Sequence, residues 1–248
     1  YLILLKRKVK DPHIYIRYGQ ILESTGRHKN AKELYERSIS NFPEFHYSYW
    51  KLGNLYINSG NINKAKYFYD EAIKIKPDYA EAILNLGTIY QLLGDNEKSE
   101  IYTRNALKIK PNLEFVNSNL SAILKEKGNL KESFLHAKKE VELYPNSATA
   151  HHNLGSISIN IENHQQAVSS TLKAIELNPN LSEAHNNLGL IYRANKEFKS
   201  SKDCHLRALA LDPKNILYKA NLIFTLAELC EYDNLYKHQK ELENNPSN

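Results

Sequence analysis

Six of the eight prolines in this 248-residue chain recur at intervals of 34 residues: Pro43, Pro77, Pro111, Pro145, Pro179 and Pro213. All nine glycines keep the same period, with Gly19, Gly53, Gly87, Gly155 and Gly189 at one place in it and Gly26, Gly60, Gly94 and Gly128 seven residues later. Proline fixes the backbone and glycine frees it, so their recurrence on one ruler means that the same short unit is built repeatedly. A unit of this kind contacts mainly its neighbours. It buries its apolar face along a continuous ribbon rather than in one central core.

Counting positions from residues 12, 46, 80, 114, 148, 182 and 216 gives seven repeats, the last incomplete. Apolar residues gather at positions 4, 7 and 11 and again at 20, 24 and 27, the spacing of two amphipathic helices. The triplets SGN (59–61), LGD (93–95) and KGN (127–129) mark the turn between them, where glycine can take a positive φ. The recurring proline lacks an N–H and clashes with the preceding turn, so it ends the second helix. Positions 8, 20 and 27 carry mostly Gly, Ala or Ser, which lets helices approach closely. A bulky residue there is expected to cost about 1–3 kcal/mol through overpacking.

This pattern resembles the tetratricopeptide repeat, from residue 12 to about residue 243. The motif L-G-x-x-Y appears as LGNLY (52–56), LGTIY (86–90) and LGLIY (188–192), with the small residues and the proline in register. Six consecutive intervals of 34 separate it from the pentatricopeptide RNA binders, which repeat at 35. The resemblance implies an all-α, right-handed superhelical solenoid of helix-turn-helix repeats whose first helices line a concave groove. Two repeats depart from the pattern. Repeat 4 has Ser121 and Glu140 at small-residue positions, and repeat 7 has Ile223, Cys230, Leu235 and Leu242. Repeat 7 therefore reads as a terminal cap or a junction, and residues 1–11 as the end of a preceding helix or an N-terminal cap. The chain has no methionine and begins YLILLKRKVK, so it reads as part of a longer protein or one trimmed at its N-terminus.

In that frame, position 6 faces the groove and reads Arg17, Lys51, Asn85, Asn119, Asn153, Asn187, Asn221. Asparagine is a mediocre helix former, and an inward position adds little to packing between repeats. Five in succession form a ladder of carboxamides, each offering a donor and an acceptor to the backbone of an extended peptide. Neighbouring helices lie about 8–10 Å apart. An extended chain advances about 3.3–3.6 Å per residue, so one rung meets roughly every third peptide residue. The ladder is similar to that of peptide O-GlcNAc transferase-like proteins, where asparagines hold a partner's backbone. The asparagine richness of the chain and the common N-L-G consensus offer a plainer source for it. Five hydrogen bonds give about 5 kcal/mol, less than micromolar binding needs, so side-chain anchors must add to them. Tyr47, Trp50 and Phe115 are the groove-facing aromatics of the first half, open to a reading as binding anchors or as packing.

Other chemistries fit less well. The formal net charge is +5, yet the groove positions balance Arg17, Lys51, Lys125 and Arg193 against Glu23, Glu81, Glu126, Glu183 and Glu228. There is no basic stripe for nucleic acid. The carboxylate clamp of chaperone-binding relatives requires lysines that this chain lacks at the matching positions. His151 and His185 sit where packing residues belong, and with His152 they follow no metal-ligand motif. No catalytic set or phosphate loop is present, so neither catalysis nor a cofactor is expected within these residues. No apolar run reaches the length of a membrane span, and Cys204 and Cys230 suggest no disulfide framework. The expectation is a cytoplasmic scaffold that binds a protein or an extended peptide and is open to self-association through its end helices. The alternative is a substrate-recruiting arm of a larger enzyme. The segment LCEYDNLYKHQKEL (229–242) is similar to the junction that joins O-GlcNAc transferase repeats to their catalytic domain, with Tyr232 where that family has Trp.

Overall fold

The structure, a computed structural model, describes residues 11–231, 234–236 and 238–240. The expectations for residues 1–10, Tyr232 and Leu242 lie outside these. Two compact units divide the chain, one ending at Val116 and the other beginning at Asn117. Thirteen helices can be bounded among the described residues, and no strand occurs there. The first helices of the repeats are α1 (Pro12–Ser24), α3 (His46–Asn58), α5 (Ala80–Leu92), α7 (Val116–Glu126), α9 (Ala148–Asn160), α11 (Ser182–Ala194) and α13 (Ile216–Glu228). Their partners are α2 (His28–Asn41), α4 (Ile62–Ile75), α6 (Asn96–Ile109), α8 (Leu130–Leu143), α10 (His164–Leu177) and α12 (Phe198–Leu211).

Several helix boundaries have a local cause. Asn61, Asp95, Asn129 and Asn163 cap the second helices, their side chains accepting from the backbone N–H of Lys64, Lys98, Glu132 and Gln166. Arg27 and Glu197 stand at the same position in repeats 1 and 6 and make no such bond. Each of the six second helices bounded among the described residues ends two residues before its proline. The intervening residue leaves the helical region, as at Lys76 (φ −131°, ψ 92°), because the proline ring forbids it.

The turn between paired helices needs one left-handed residue. Gly26, Gly60, Gly94 and Gly128 supply it with φ of 74–79°. In later repeats Glu162 (φ 56°), Lys196 (62°) and Cys230 (57°) adopt the same conformation without the freedom of glycine. Repeat 4 shows one further difference from the regular register. Phe115 has φ 67° and lies in the turn, so α7 begins at Val116, two residues later in its repeat than the other first helices.

Position 24 explains the recurring glycine at position 8. A Cβ added to Gly19 or Gly53 would lie 2.3 or 2.5 Å from the ring of Tyr35 or Tyr69. At Gly87 and Gly155 it would meet Thr103 Oγ1 and Thr171 Oγ1 at 2.7 and 2.5 Å, and at Gly189 the ring of His205 at 2.5 Å. In repeat 4 the pair is reversed: Ser121 fills position 8 and Ala137 stands at position 24, both buried. Small residues at position 20 also carry a polar function. Ser99 and Ser201 donate to the carbonyls of Gly87 and Gly189, both at 2.8 Å, and Ser133 to that of Ser121 at 2.7 Å.

Apolar packing fills the space between successive helices within each unit. In the first unit Tyr35, Leu52, Tyr69, Leu86 and Ile89 are fully buried or nearly so, and in the second Leu120, Ile157 and Leu222 are. This packing fixes the faces on which the candidate site residues stand.

Candidate functional site

In the first unit, Trp50 and Asn85 line one cleft of about 300 Å³ together with Asn54, Tyr69 and Thr88. Its polar wall is an ordered network. Tyr69 Oη donates to Asn54 Oδ1 at 2.7 Å, and Asn85 Nδ2 donates to the same oxygen at 2.9 Å. One N–H of Asn85 thus fixes its carboxamide to the preceding repeat. Trp50 is half-buried between Tyr47 (ring centroids 5.1 Å apart) and Tyr79 (6.0 Å), and its indole N–H is buried without a partner. Tyr47 also packs against Phe45 at 6.2 Å. Lys51 holds Glu23 of α1 at 3.7 Å and lies 5.3 Å from the Trp50 ring, so this first-unit cation already has an internal partner. Arg17 is exposed on α1, and Phe115 is 45% exposed in the turn before α7 rather than on a helix.

The second unit carries the other four asparagines. Asn119, Asn153 and Asn187 are half-buried, whereas Asn221 is only 7% exposed. Asn221 Nδ2 donates to Asn186 Oδ1 at 2.9 Å, and Asn187 Nδ2 to His152 Nδ1 at 3.4 Å. The second bond requires a neutral His152 with its proton on Nε2, a state favoured by burial, which holds its pKa below the ordinary histidine value. Asn153 makes no side-chain hydrogen bond to the described residues and so presents its whole carboxamide. Asn85, Asn187 and Asn221 each have one N–H tied to the repeat before, an orientation that leaves a second N–H and Oδ1 to a ligand where they are accessible.

Asn54, His152 and Asn186, which position the asparagines, were not evident from the sequence. They stand at repeat positions 9, 5 and 5, so no single register marks them. His151 and His185 have a different task. Their Nε2–H groups donate to the carbonyls of Pro145 and Pro179, both at 2.9 Å, and tie the loop between repeats to the following helix. Among the described residues no group of three or more His, Cys, Asp or Glu is placed to hold a metal ion. No described helix is long and apolar enough to cross a membrane.

Paired helices on a 34-residue period, closed by a glycine opposite position 24, define a helical repeat protein. Tetratricopeptide repeat profiles match residues 12–45, 80–113, 148–181 and 182–215, and a TPR repeat profile matches 53–94. The chain belongs to the tetratricopeptide repeat family, an all-α fold that serves as a protein-interaction scaffold. No curated protein matches it in sequence. Solved structures share the fold. The chain in the APC/C hetero-tetramer Cut9–Hcn1 has a TM-score of 0.82 at 16% identity, covering 90% of this chain and 44% of that one. PilF of Pseudomonas aeruginosa has a TM-score of 0.70 at 20% identity, covering 80% and 90%. YrrB, described as a TPR protein with an unusual peptide-binding site, has 0.56 at 20% identity, covering 74% and 95%. This chain therefore spans less than half of the Cut9–Hcn1 chain and most of the two smaller proteins.

Proposed function

We propose that the asparagine-bearing faces of the first helices bind an extended segment of a partner protein through its backbone. The observation that carries this reading is the treatment of the carboxamides in the second unit. Asn187 is oriented by one N–H to His152, and Asn153 is unengaged among the described residues, both on half-exposed positions. A side chain needed only for packing has no use for an oriented, accessible amide. Backbone recognition through such groups tolerates many sequences, because every non-proline residue offers the same N–H and C=O. In the first unit, the cleft beside Trp50 and Asn85 would take a side chain of the partner, with Tyr47 and Lys51 bracing the indole. YrrB and the Cut9–Hcn1 assembly lend the reading fold-level support only.

The test is the Asn119→Ala/Asn153→Ala variant measured against a partner captured by the intact chain. Loss of two net hydrogen bonds predicts binding about tenfold weaker. Unchanged affinity would remove the ladder as the binding element.

A further inference from the structure

A second cleft, at the turn edge where α2 meets α3, shares Asn58 with the cleft beside Trp50 but is lined by none of the asparagines at repeat position 6. It encloses about 320 Å³, with Leu55 and Tyr56 on one side and His28, Lys29 and Lys32 on the other. Tyr56 is held in place by stacking on Phe68 (centroids 5.4 Å apart, planes 3° apart). The ammonium groups of Lys32 and Lys64 lie 5.4 and 5.2 Å from the Tyr56 ring centroid. Glu36, 3.6 Å from Lys32, is the one carboxylate paired with any of these bases among the described residues, which leaves Lys29 and Lys64 without one. The cleft thus joins an apolar floor to a rim of uncompensated positive charge. The second unit has a partly similar cleft of about 480 Å³, lined by Arg193, Lys196, Phe198 and Phe224 but also by Glu228. There the Arg193 guanidinium lies 5.8 Å from the Phe224 ring centroid, and neither Arg193 nor Lys196 has a carboxylate partner among the described residues.

We propose that the α2–α3 turn-edge cleft is a second peptide-binding surface, one that takes an acidic segment carrying a large apolar side chain. The apolar side chain enters against Leu55 and Tyr56, and flanking carboxylates meet Lys29 and Lys64. Single-stranded nucleic acid fits the charge but not the ring. Base stacking needs an open aromatic face, whereas Tyr56 has one face on Phe68 and two ammonium groups close to its centroid. The surface uses none of the position-6 asparagines, so it stands or falls independently of the reading above.

The experiment is fluorescence anisotropy on the full chain, with a labelled hexapeptide alternating glutamate with leucine or phenylalanine. The same peptide with glutamine for glutamate and a labelled oligouridylate are run beside it. The acidic peptide should bind best. Lys29→Glu/Lys64→Glu should weaken it about tenfold, and Lys29→Gln/Lys64→Gln by less. The loss caused by the Lys29→Glu/Lys64→Glu change should be of the same size when it is made in the Asn119→Ala/Asn153→Ala background, with circular dichroism reporting that every variant keeps its helix content. Four results would overturn the proposal: no binding of the acidic peptide, equal binding of the glutamine peptide, preferred binding of the oligouridylate, or a loss confined to the asparagine variant.

Discussion

Gly87 and Ser121 occupy the same place in successive repeats and meet opposite neighbours. Gly87 leaves room for Thr103, whereas Ser121 is admitted because Ala137 stands where Thr103 would be. Gly87→Ala should therefore cost about 1–3 kcal/mol, since the new Cβ would fall 2.7 Å from the Oγ1 of a stiff β-branched side chain. Thr103→Ala added to it should recover part of that loss, giving a favourable coupling energy in a double-mutant cycle followed by urea unfolding. His205 makes a second prediction. It is fully buried against Gly189, neither ring nitrogen has a partner, and burial, with Arg193 adding to it, pushes its pKa down to about 4 from 6.5. The folded state thus keeps His205 neutral where the unfolded chain takes up a proton. Its contribution is fully present above pH 6.5 and is lost as pH falls towards 4, by up to on the order of 3 kcal/mol. His205→Tyr, which copies Tyr35 and Tyr69 at the same repeat position, should flatten the dependence of stability on pH across that window. An unchanged slope would place the acid sensitivity elsewhere.

At the scale of the element, the repeats differ most at the turn and at the residue that caps the second helix. Lys196 takes a left-handed conformation that four earlier repeats assign to glycine, and Glu197 follows it without the capping bond that Asn61, Asp95, Asn129 and Asn163 make. Lys196→Gly should stabilise the chain by roughly 0.5–1 kcal/mol and Glu197→Asn by about 1 kcal/mol, read as a rise in the urea midpoint at constant slope. Helix positions and their ends were legible in the sequence because proline, glycine and capping residues act locally and recur. The late start of α7 was not. Glu114 and Phe115 occupy the first two positions of their repeat, and nothing in their residue types announces the positive φ of Phe115. Position 24 was equally opaque: Tyr, Tyr, Thr, Ala, Thr and His share no property until the glycine or serine opposite is seen.

For the whole molecule, one period sets both the fold and the candidate site. The 34-residue spacing made the family and the asparagine row legible together, since both follow from one register. The internal bonds of that row were hidden because Asn54, His152 and Asn186 reach the asparagines from different positions of the preceding repeat. Those bonds refine the central claim. They leave one N–H and Oδ1 of each oriented rung to a ligand, so the partner's backbone N–H groups that meet Oδ1 should carry part of the recognition. A backbone N-methyl scan tests this most directly, using a peptide selected from a random library on the immobilised chain and methylated at one amide at a time. The predicted result is a loss of about fivefold or more at amides spaced roughly every third residue, with little effect between them. Binding that tolerates N-methylation at every position would contradict backbone recognition by the asparagines.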